Sequence, residues 1–276
     1  MKVVLFCGGL GMRLRDHDEN VPKPMVPIGY RPILWHLMKY YAHFGHRDFI
    51  LCLGYRGDVI RRFFLNYEEC MSNDFVLSDG GRSRKLITSD IEDWRITFAD
   101  TGPNASIGQR LQAVRPYLEG EDVFLANYAD GLTDLPLPEQ LAHFRRHDKV
   151  ASFLAVRPNM SYHFVASDDD GRVTAFRDLS QSGLRVNGGF FILKSAIFDY
   201  MREGEELVLE PFQRLLADGQ LLAYQYDGFW MPMDTAKDKR RFDDLHAAGF
   251  PPWEVWNPEV ARRREAGQPA MRLWYR

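Results

Sequence analysis

The stretch Gly8-Gly9-Leu10-Gly11-Met12-Arg13-Leu14, followed by Pro22-Lys23-Pro24-Met25, gathers the residue types that grip a polyphosphate. A glycine turn directly after an apolar run lets several backbone N–H groups face one anion. Side chains at Gly8, Gly9 or Gly11 would block that approach. Arg13 can fork onto two phosphate oxygens. Lys23 is a point charge on a segment stiffened by a proline on each side. A glycine turn alone would be weak evidence, whereas the combination predicts phosphate binding. The pattern is not the dinucleotide fingerprint, because position 14 is Leu, and no Gly-Lys-Ser/Thr follows as in a Walker A loop.

Two carboxylates stand where a cation could join that phosphate. Asp130 follows the apolar run Asp122 to Tyr128 in the sequence Ala129-Asp130-Gly131. Ligands of open α/β sheets sit at such strand ends. Mg2+ keeps several waters and takes only one or two protein carboxylates beside substrate phosphates. Asp234, in Met233-Asp234-Thr235 after Gly228-Phe229-Trp230, is the candidate second carboxylate for the same Mg2+ ion. Each has a plainer reading, Asp130 as a turn residue and Asp234 as the N-cap of a helix over Ala236 to Leu245.

These residues need a frame. Lys2 to Cys7 reads as a buried parallel strand, Pro32 to Phe44 as a helix closed by Gly45, Asp48 to Leu53 as a second strand and Val59 to Tyr67 as a second helix. Further strands are expected at Thr97 to Thr101, Asp122 to Tyr128, Lys149 to Val156, Phe164 to Val173, Asn187 to Leu193 and Leu221 to Tyr226. Helices are expected at Gly108 to Tyr117, Leu137 to His147 and from Pro211 to Leu216. The alternation predicts an α/β, doubly wound domain over 1–250. A small insertion at about 67–97, with Ser78-Asp79-Gly80-Gly81-Arg82-Ser83 at its centre, is read as a hairpin or an oligomer contact. A tail at 251–276 carries Trp253, Trp256 and Trp274 among arginines. It is expected to pack partly on the domain or on a neighbouring subunit, and we favour the neighbour.

Composition narrows the partners. The 276 residues carry a formal net charge of −3, without the basic surplus of a nucleic-acid binder, so an acidic ligand must meet a local basic site. Cys7 and Cys52 lie in strand-like runs and Cys70 stands apart. No pair has metal or redox spacing, which suits a reducing, cytoplasmic setting. The N-terminal apolar run is too short for a signal peptide or a membrane span. His36, His43, His46 and His163 lack a carboxylate cluster and are read as ordinary packing residues. Asp168-Asp169-Asp170, the formal match to a glycosyltransferase metal motif, reads as a turn before Gly171.

The motifs together resemble the sugar-nucleotide pyrophosphorylases, a family of nucleotidyltransferases. They comprise the glycine turn with Pro-Lys-Pro-Met, the strand-end Asp130-Gly131, Asn187-Gly188-Gly189-Phe190-Phe191, and Phe229-Trp230-Met231-Pro232-Met233-Asp234-Thr235. Ile33-Leu34-Trp35-His36, Gly108-Gln109-Arg110-Leu111 and Pro252-Trp253-Glu254-Val255-Trp256 resemble the glucose-1-phosphate cytidylyltransferase subgroup. The match runs from Met1 to about Trp256. The resemblance implies a Rossmann-like mixed, mostly parallel sheet flanked by helices. It also implies transfer of a nucleoside monophosphate from a triphosphate, with CTP the expected donor, to a phosphorylated small molecule of the sugar-1-phosphate type. By resemblance, Gly8, Gly9 and Gly11 line the nucleotide, Arg110 lies near it, Arg13 meets the pyrophosphate, and Lys23 holds the reacting phosphates. Asp130 and Asp234 bind Mg2+, Asn187 and Gly188 border the acceptor, and the chain is a homo-oligomer.

The acceptor half departs from the family. Where the family has Phe-x-Glu-Lys-Pro, this chain has Phe176-Arg177-Asp178-Leu179-Ser180. The acid survives as Asp178, and the phosphate-gripping lysine is replaced by Leu179. Arg177 or Arg185 is therefore the candidate substitute cation, or the acceptor is a modified sugar or non-sugar phosphate. The competing reading is a catalytically weakened nucleotide-binding paralogue with a regulatory or scaffold role, which loss of Asp130 or Asp234 would have supported.

Overall fold

The computed structural model describes residues 1–9, 21–158, 163–178, 182–249 and 251–265. Its centre is one sheet built from β1 (Lys2–Phe6), β2 (Asp48–Leu53), β3 (Arg95–Asp100), β4 (Val123–Tyr128), β5 (Ala151–Val156), β6 (Val186–Asn187), β7 (Phe191–Lys194) and β8 (Leu221–Tyr226). Both β6 and β7 pair with the same side of β5, so they are one interrupted strand. The order across the sheet is β8, β5, the β6/β7 strand, β4, β1, β2, β3, and only β6/β7 runs antiparallel. This is the expected Rossmann-like, mostly parallel sheet.

Strand alternation divides the core. In β1, Val3 and Leu5 face one side and Val4 and Phe6 the other, and all four are buried. On the first side pack α1 (Ile33–His43), α2 (Gly57–Leu65), α4 (Leu137–His147) and α6 (Ala236–Ala247). On the second pack α3 (Ile107–Val114) and α5 (Glu210–Ala217). Each fully buried Leu, Ile or Phe contributes roughly 1.5–3 kcal/mol of transfer free energy, which fixes the sheet as the rigid element beneath the loops. A last helix, α7 (Pro258–Glu265), was not expected from the sequence. Among the described residues no helix is long and apolar enough to cross a membrane.

Two expected strands are broken. Phe164 to Val173 is in fact a hairpin, His163–Ser167 against Val173–Asp178. The Asp168 carboxylate accepts from the N–H groups of Asp170 and Arg172, and Gly171 takes φ +81°, so the acidic run is a tight turn. Asn187 to Leu193 is interrupted at Gly188-Gly189-Phe190. Gly189 has φ +76° and Phe190 φ +48°, with the Phe190 N–H donating to Asn127 Oδ1 at 2.9 Å. A Cβ on Gly189 would lie 2.3 Å from that oxygen, so only glycine fits.

The insertion holds the expected hairpin, Phe75–Ser78 against Ser83–Leu86, but it ends sooner than expected because β3 starts at Arg95. The tail corrects a preference. Trp253 is 1% exposed and packs on His36, Phe229 and Phe242 of its own chain, and Trp256 packs on Trp35. Trp274 lies outside the described residues.

Candidate active site

Phe6 pairs with Tyr128, so the chain leaves β1 at Gly8 and β4 at Asp130 from the same end of the sheet. After β4 the chain forms Gly131–Thr133, which pairs antiparallel with Trp230–Pro232. The Met233 N–H donates to the Asp130 carbonyl at 2.8 Å. This short ribbon places Asp234 beside Asp130. Lys23 comes from a third direction. Pro22 and Pro24 set a single 3-10 turn at Lys23–Met25, closed by Met25 N–H to Pro22 O at 2.7 Å.

The three side chains converge. The Lys23 ammonium lies 2.6 Å from Asp130 Oδ2 and also donates to Asp234 Oδ1. Burial alone would lower the Lys23 pKa, but Asp130 and then Asp234 outweigh it and hold it above the ordinary lysine value. The carboxylates thus present oxygens to one positive charge. Both are hard oxygen donors, and among the described residues no cluster of three or more His, Cys, Asp or Glu forms a fuller metal cage. A two-carboxylate site that leaves the other coordination positions to water and phosphate suits Mg2+. The plainer reading of Asp234 does not hold. The N-cap of α6 is Thr235, whose hydroxyl accepts from Asp238 N–H in a capping box. Asp234 is therefore spared that duty.

Arg110 lies against Gly8, where the nucleotide is expected. It is 2% exposed, and its guanidinium donates to the carbonyls of Gly8 (3.0 Å), Gly102 (2.9 Å), Leu53 (3.3 Å) and Pro103 (3.3 Å) and to Thr101 Oγ1 (2.7 Å). It clamps Gly8, where the chain leaves β1. A Cβ on Gly8 would meet that guanidinium at 2.1 Å, and one on Gly54 at 2.7 Å. Gly8 is thus required by Arg110 packing, a reason the sequence reading did not contain. Gly9 has open space around its Cβ position. Gly11 and Arg13 lie outside the described residues.

On the acceptor side, Asn187 and Gly188 stand at the break between β6 and β7. The Trp230 indole donates to the Gly188 carbonyl at 2.9 Å, and a Cβ on Gly188 would meet the ring at 3.1 Å. Trp230 also lines Gly131, so one aromatic plate ties Gly188 to the loop that carries Asp130. Tyr128 was missed by sequence reasoning. Its hydroxyl sits 3.5 Å from Asn187 Nδ2, and burial pushes the phenol up to about 12. Only its place two residues before Asp130 could have signalled it.

Arg185, one of the two candidate cations for the acceptor, is already engaged in the fold. Three of its five donors go to Ala155 O (3.1 Å), Tyr226 O (3.0 Å) and Asp227 (2.9 Å), where it pins the ends of β5 and β8. Arg177 and Asp178 lie on the His163–Asp178 hairpin, with Arg177 exposed. Leu179 lies outside the described residues. His36 is a packing residue, as expected. Its Nδ1 accepts from the Trp253 indole at 3.3 Å, which assigns the proton to Nε2 opposite the Ile28 carbonyl, and burial lowers its pKa to about 4. Cys7 and Cys52 are likewise buried.

Comparison with known proteins bears on this arrangement. The profile described as nucleotidyl transferase matches residues 2–239. The glucose-1-phosphate cytidylyltransferase of Salmonella typhi is 38% identical over 93% of this chain and all of its own length. The mannose-1-phosphate guanyltransferase of Gibberella zeae is 25% identical over 86% of this chain and 62% of its own. Among solved structures, HddC from Yersinia pseudotuberculosis superposes with a TM-score of 0.61 at 20% identity, covering 89% of this chain and 99% of that one. UDP-glucose pyrophosphorylase complexed with UDP-glucose gives 0.64 at 14% identity, covering 90% and 98%.

Proposed function

The chain belongs to the nucleotidyl transferase family, and from that premise we propose that it transfers CMP from CTP to a sugar 1-phosphate and releases pyrophosphate. Relatives that match 93% of this chain over their own full length are named glucose-1-phosphate cytidylyltransferases. The observation that carries the reading is the meeting of Lys23, Asp130 and Asp234 at the sheet end where the Gly8 turn begins.

In this reading an oxygen of the acceptor's phosphate attacks the α-phosphorus of CTP. The new P–O bond forms as the bond to the bridging oxygen breaks, and that oxygen leaves with the electron pair as pyrophosphate. No covalent nucleophile from the protein is required, so catalysis rests on positioning and charge neutralisation. The Gly8-Gly9 turn, held by Arg110, offers backbone N–H groups to the triphosphate. Lys23, stiffened by its prolines, brings a cation to the reacting phosphates. Asp130 and Asp234 would hold Mg2+, which when bound neutralises polyphosphate charge. Asn187 and Gly188, tied to the Asp130 loop by Trp230, border the acceptor.

The acceptor's identity turns on one contact. A lysine on the acceptor phosphate would supply a charge-assisted bond worth roughly 1.5–3 kcal/mol, or about one to two decades in affinity. Leu179 supplies none, Arg185 has three of its five donors engaged, and Arg177 stands exposed on the hairpin rather than enclosed against a ligand. We therefore expect glucose 1-phosphate to be used with a raised KM, and a sugar phosphate with a more apolar ring to be preferred. Pyrophosphate release across CTP, UTP, GTP and dTTP, each with a panel of sugar 1-phosphates, tests both statements. Turnover with no CTP pair would overturn the reaction proposed. A kcat/KM for glucose 1-phosphate raised no further by any modified sugar would overturn the acceptor preference alone.

A further inference from the structure

The break between β6 and β7 carries Asn187 and Gly188, and it is held by side chains from elsewhere in the core. Phe190 sits in the left-handed region at φ +48°, where a side chain with a β-carbon is strained. Such a residue keeps that conformation only when its surroundings over-determine it. Both of its backbone groups are taken by buried amides. Its N–H donates to Asn127 Oδ1 of β4 at 2.9 Å, and its carbonyl accepts from Gln140 Nε2 of α4 at 2.8 Å. Asn127 is 2% exposed and Gln140 is fully buried. The Phe190 ring lies against Tyr40 and Tyr41 of α1, at 5.5 and 6.0 Å between ring centres. One residue is thus gripped from the sheet and from two helices.

These amides are costly where they stand. Asn127 Nδ2 and Gln140 Oε1 are buried without a hydrogen-bond partner among the described residues. A buried polar atom left unpaired is destabilising, so for packing alone an apolar side chain would serve better at either position. What each amide gains is its bond to the Phe190 peptide. The consequence runs outward from there. The Gly188 N–H donates to the Leu154 carbonyl at 2.8 Å, and the Gly189 carbonyl accepts from the Leu154 N–H at 2.9 Å, so the turn is tied to β5. The Gly189 N–H donates to Asn187 Oδ1 at 2.9 Å. That bond fixes which end of the Asn187 amide faces the turn and leaves Nδ2 towards the Tyr128 hydroxyl, two residues before Asp130. We propose that Asn127 and Gln140 are positioning residues for the acceptor. By fixing the Phe190 peptide they set the Gly188-Gly189 turn, and through it the direction in which Asn187 Nδ2 donates to an acceptor oxygen. This rests on the reaction proposed above, in which Asn187 and Gly188 border the acceptor. Both amides are too deeply buried to touch substrate, so their effect passes through Asn187.

The test is steady-state kinetics of the full chain with CTP, Mg2+ and glucose 1-phosphate as the probe acceptor, read as separate KM values. Gln140→Met keeps the length of the side chain and removes the donor. It should raise the KM for glucose 1-phosphate at least about fivefold and change the KM for CTP by less than about twofold, because only the acceptor edge is displaced. Asn127→Ser, which draws back the accepting oxygen, should do the same. Asn187→Ala should raise the acceptor KM as well. Adding Gln140→Met to it should then change that KM by less than about twofold, since the donor being positioned is already gone. A general loosening of the fold would instead move both KM values and multiply with Asn187→Ala. Equal changes in the two KM values, an unchanged acceptor KM, or effects that multiply would overturn the proposal and leave the reaction standing. A wild type that turns over no CTP pair would overturn the reaction and this role with it. If Gln140→Met does not fold, Asn127→Ser combined with Asn187→Ala decides by the same criterion.

Discussion

Replacing Lys23 with Met removes the charge that the two carboxylates share while keeping most of the buried stem. The Lys23 side chain is 15% exposed and its contact with Asp130 is a charge-assisted bond at 2.6 Å, worth about 1.5–3 kcal/mol. The contact with Asp234 counts for less. That carboxylate is 41% exposed and its side of the pair is screened, which limits it to below about 1 kcal/mol. Together they predict a loss of about 2–4 kcal/mol without divalent metal, part of it repulsion between the uncovered carboxylates. For a chain of this size that lowers Tm by roughly 5–10 °C. Mg2+ should then stabilise the variant more than the wild type, because in the wild type it must first displace the ammonium. Thermal unfolding across a Mg2+ titration measures both effects. With CTP and acceptor, kcat should fall at least about 100-fold, the scale of losing one strong electrostatic contact in the transition state. An unchanged Tm, or equal Mg2+ shifts in the two proteins, would refute the shared-cation geometry. A raised KM with kcat intact would reassign Lys23 to uniform binding.

Asp234→Asn should cost about 100-fold or more in kcat with little change in stability, whereas Thr235→Ala should cost about 1 kcal/mol of stability and leave kcat nearly intact, because the cap is Thr235. Steady-state rates and denaturant midpoints separate the two, and swapped outcomes would return the capping role to Asp234. Gly8→Ala forces a methyl against a guanidinium held by Gly102, Leu53 and Pro103, so it should lose roughly 1–3 kcal/mol and raise the CTP KM at least about tenfold. A wild-type KM would mean that the turn shifts at no cost. For His36 the folded pKa of about 4 lies below the unfolded value of about 6.5. The unfolded chain takes the proton first, so up to about 3 kcal/mol of stability is present above pH 6.5 and lost as pH falls towards 4. Unfolding midpoints from pH 7 to 4.5 should fall less steeply in His36→Gln, and coincident slopes would place the acid loss on other groups.

The sequence alone determined the elements whose signal is local. The apolar runs of β1, β2 and β4, the helix at Leu137–His147, the glycine turn and the proline-bracketed Lys23 all declare themselves within a few residues. Asp130 was legible as a candidate because a carboxylate just beyond a buried strand stands where α/β sheets bind ligands. Asp234 was legible as a candidate, but its two readings could not be told apart until Thr235 was seen to hold the cap. The breaks at Asp168-Asp169-Asp170 and Gly188-Gly189-Phe190 blurred because hydrophobic period cannot register one side-chain oxygen, such as that of Asn127, redirecting a strand. Tertiary structure decided the rest. Lys23 meets its two carboxylates across more than a hundred residues of chain, and Arg110 reaches Gly8 across a similar gap. Family resemblance suggested that it lies near the nucleotide, and its burial makes it a clamp on Gly8. What a charged side chain does depends on which donors and acceptors folding places around it, and those partners come from strands and loops that are neighbours only in space.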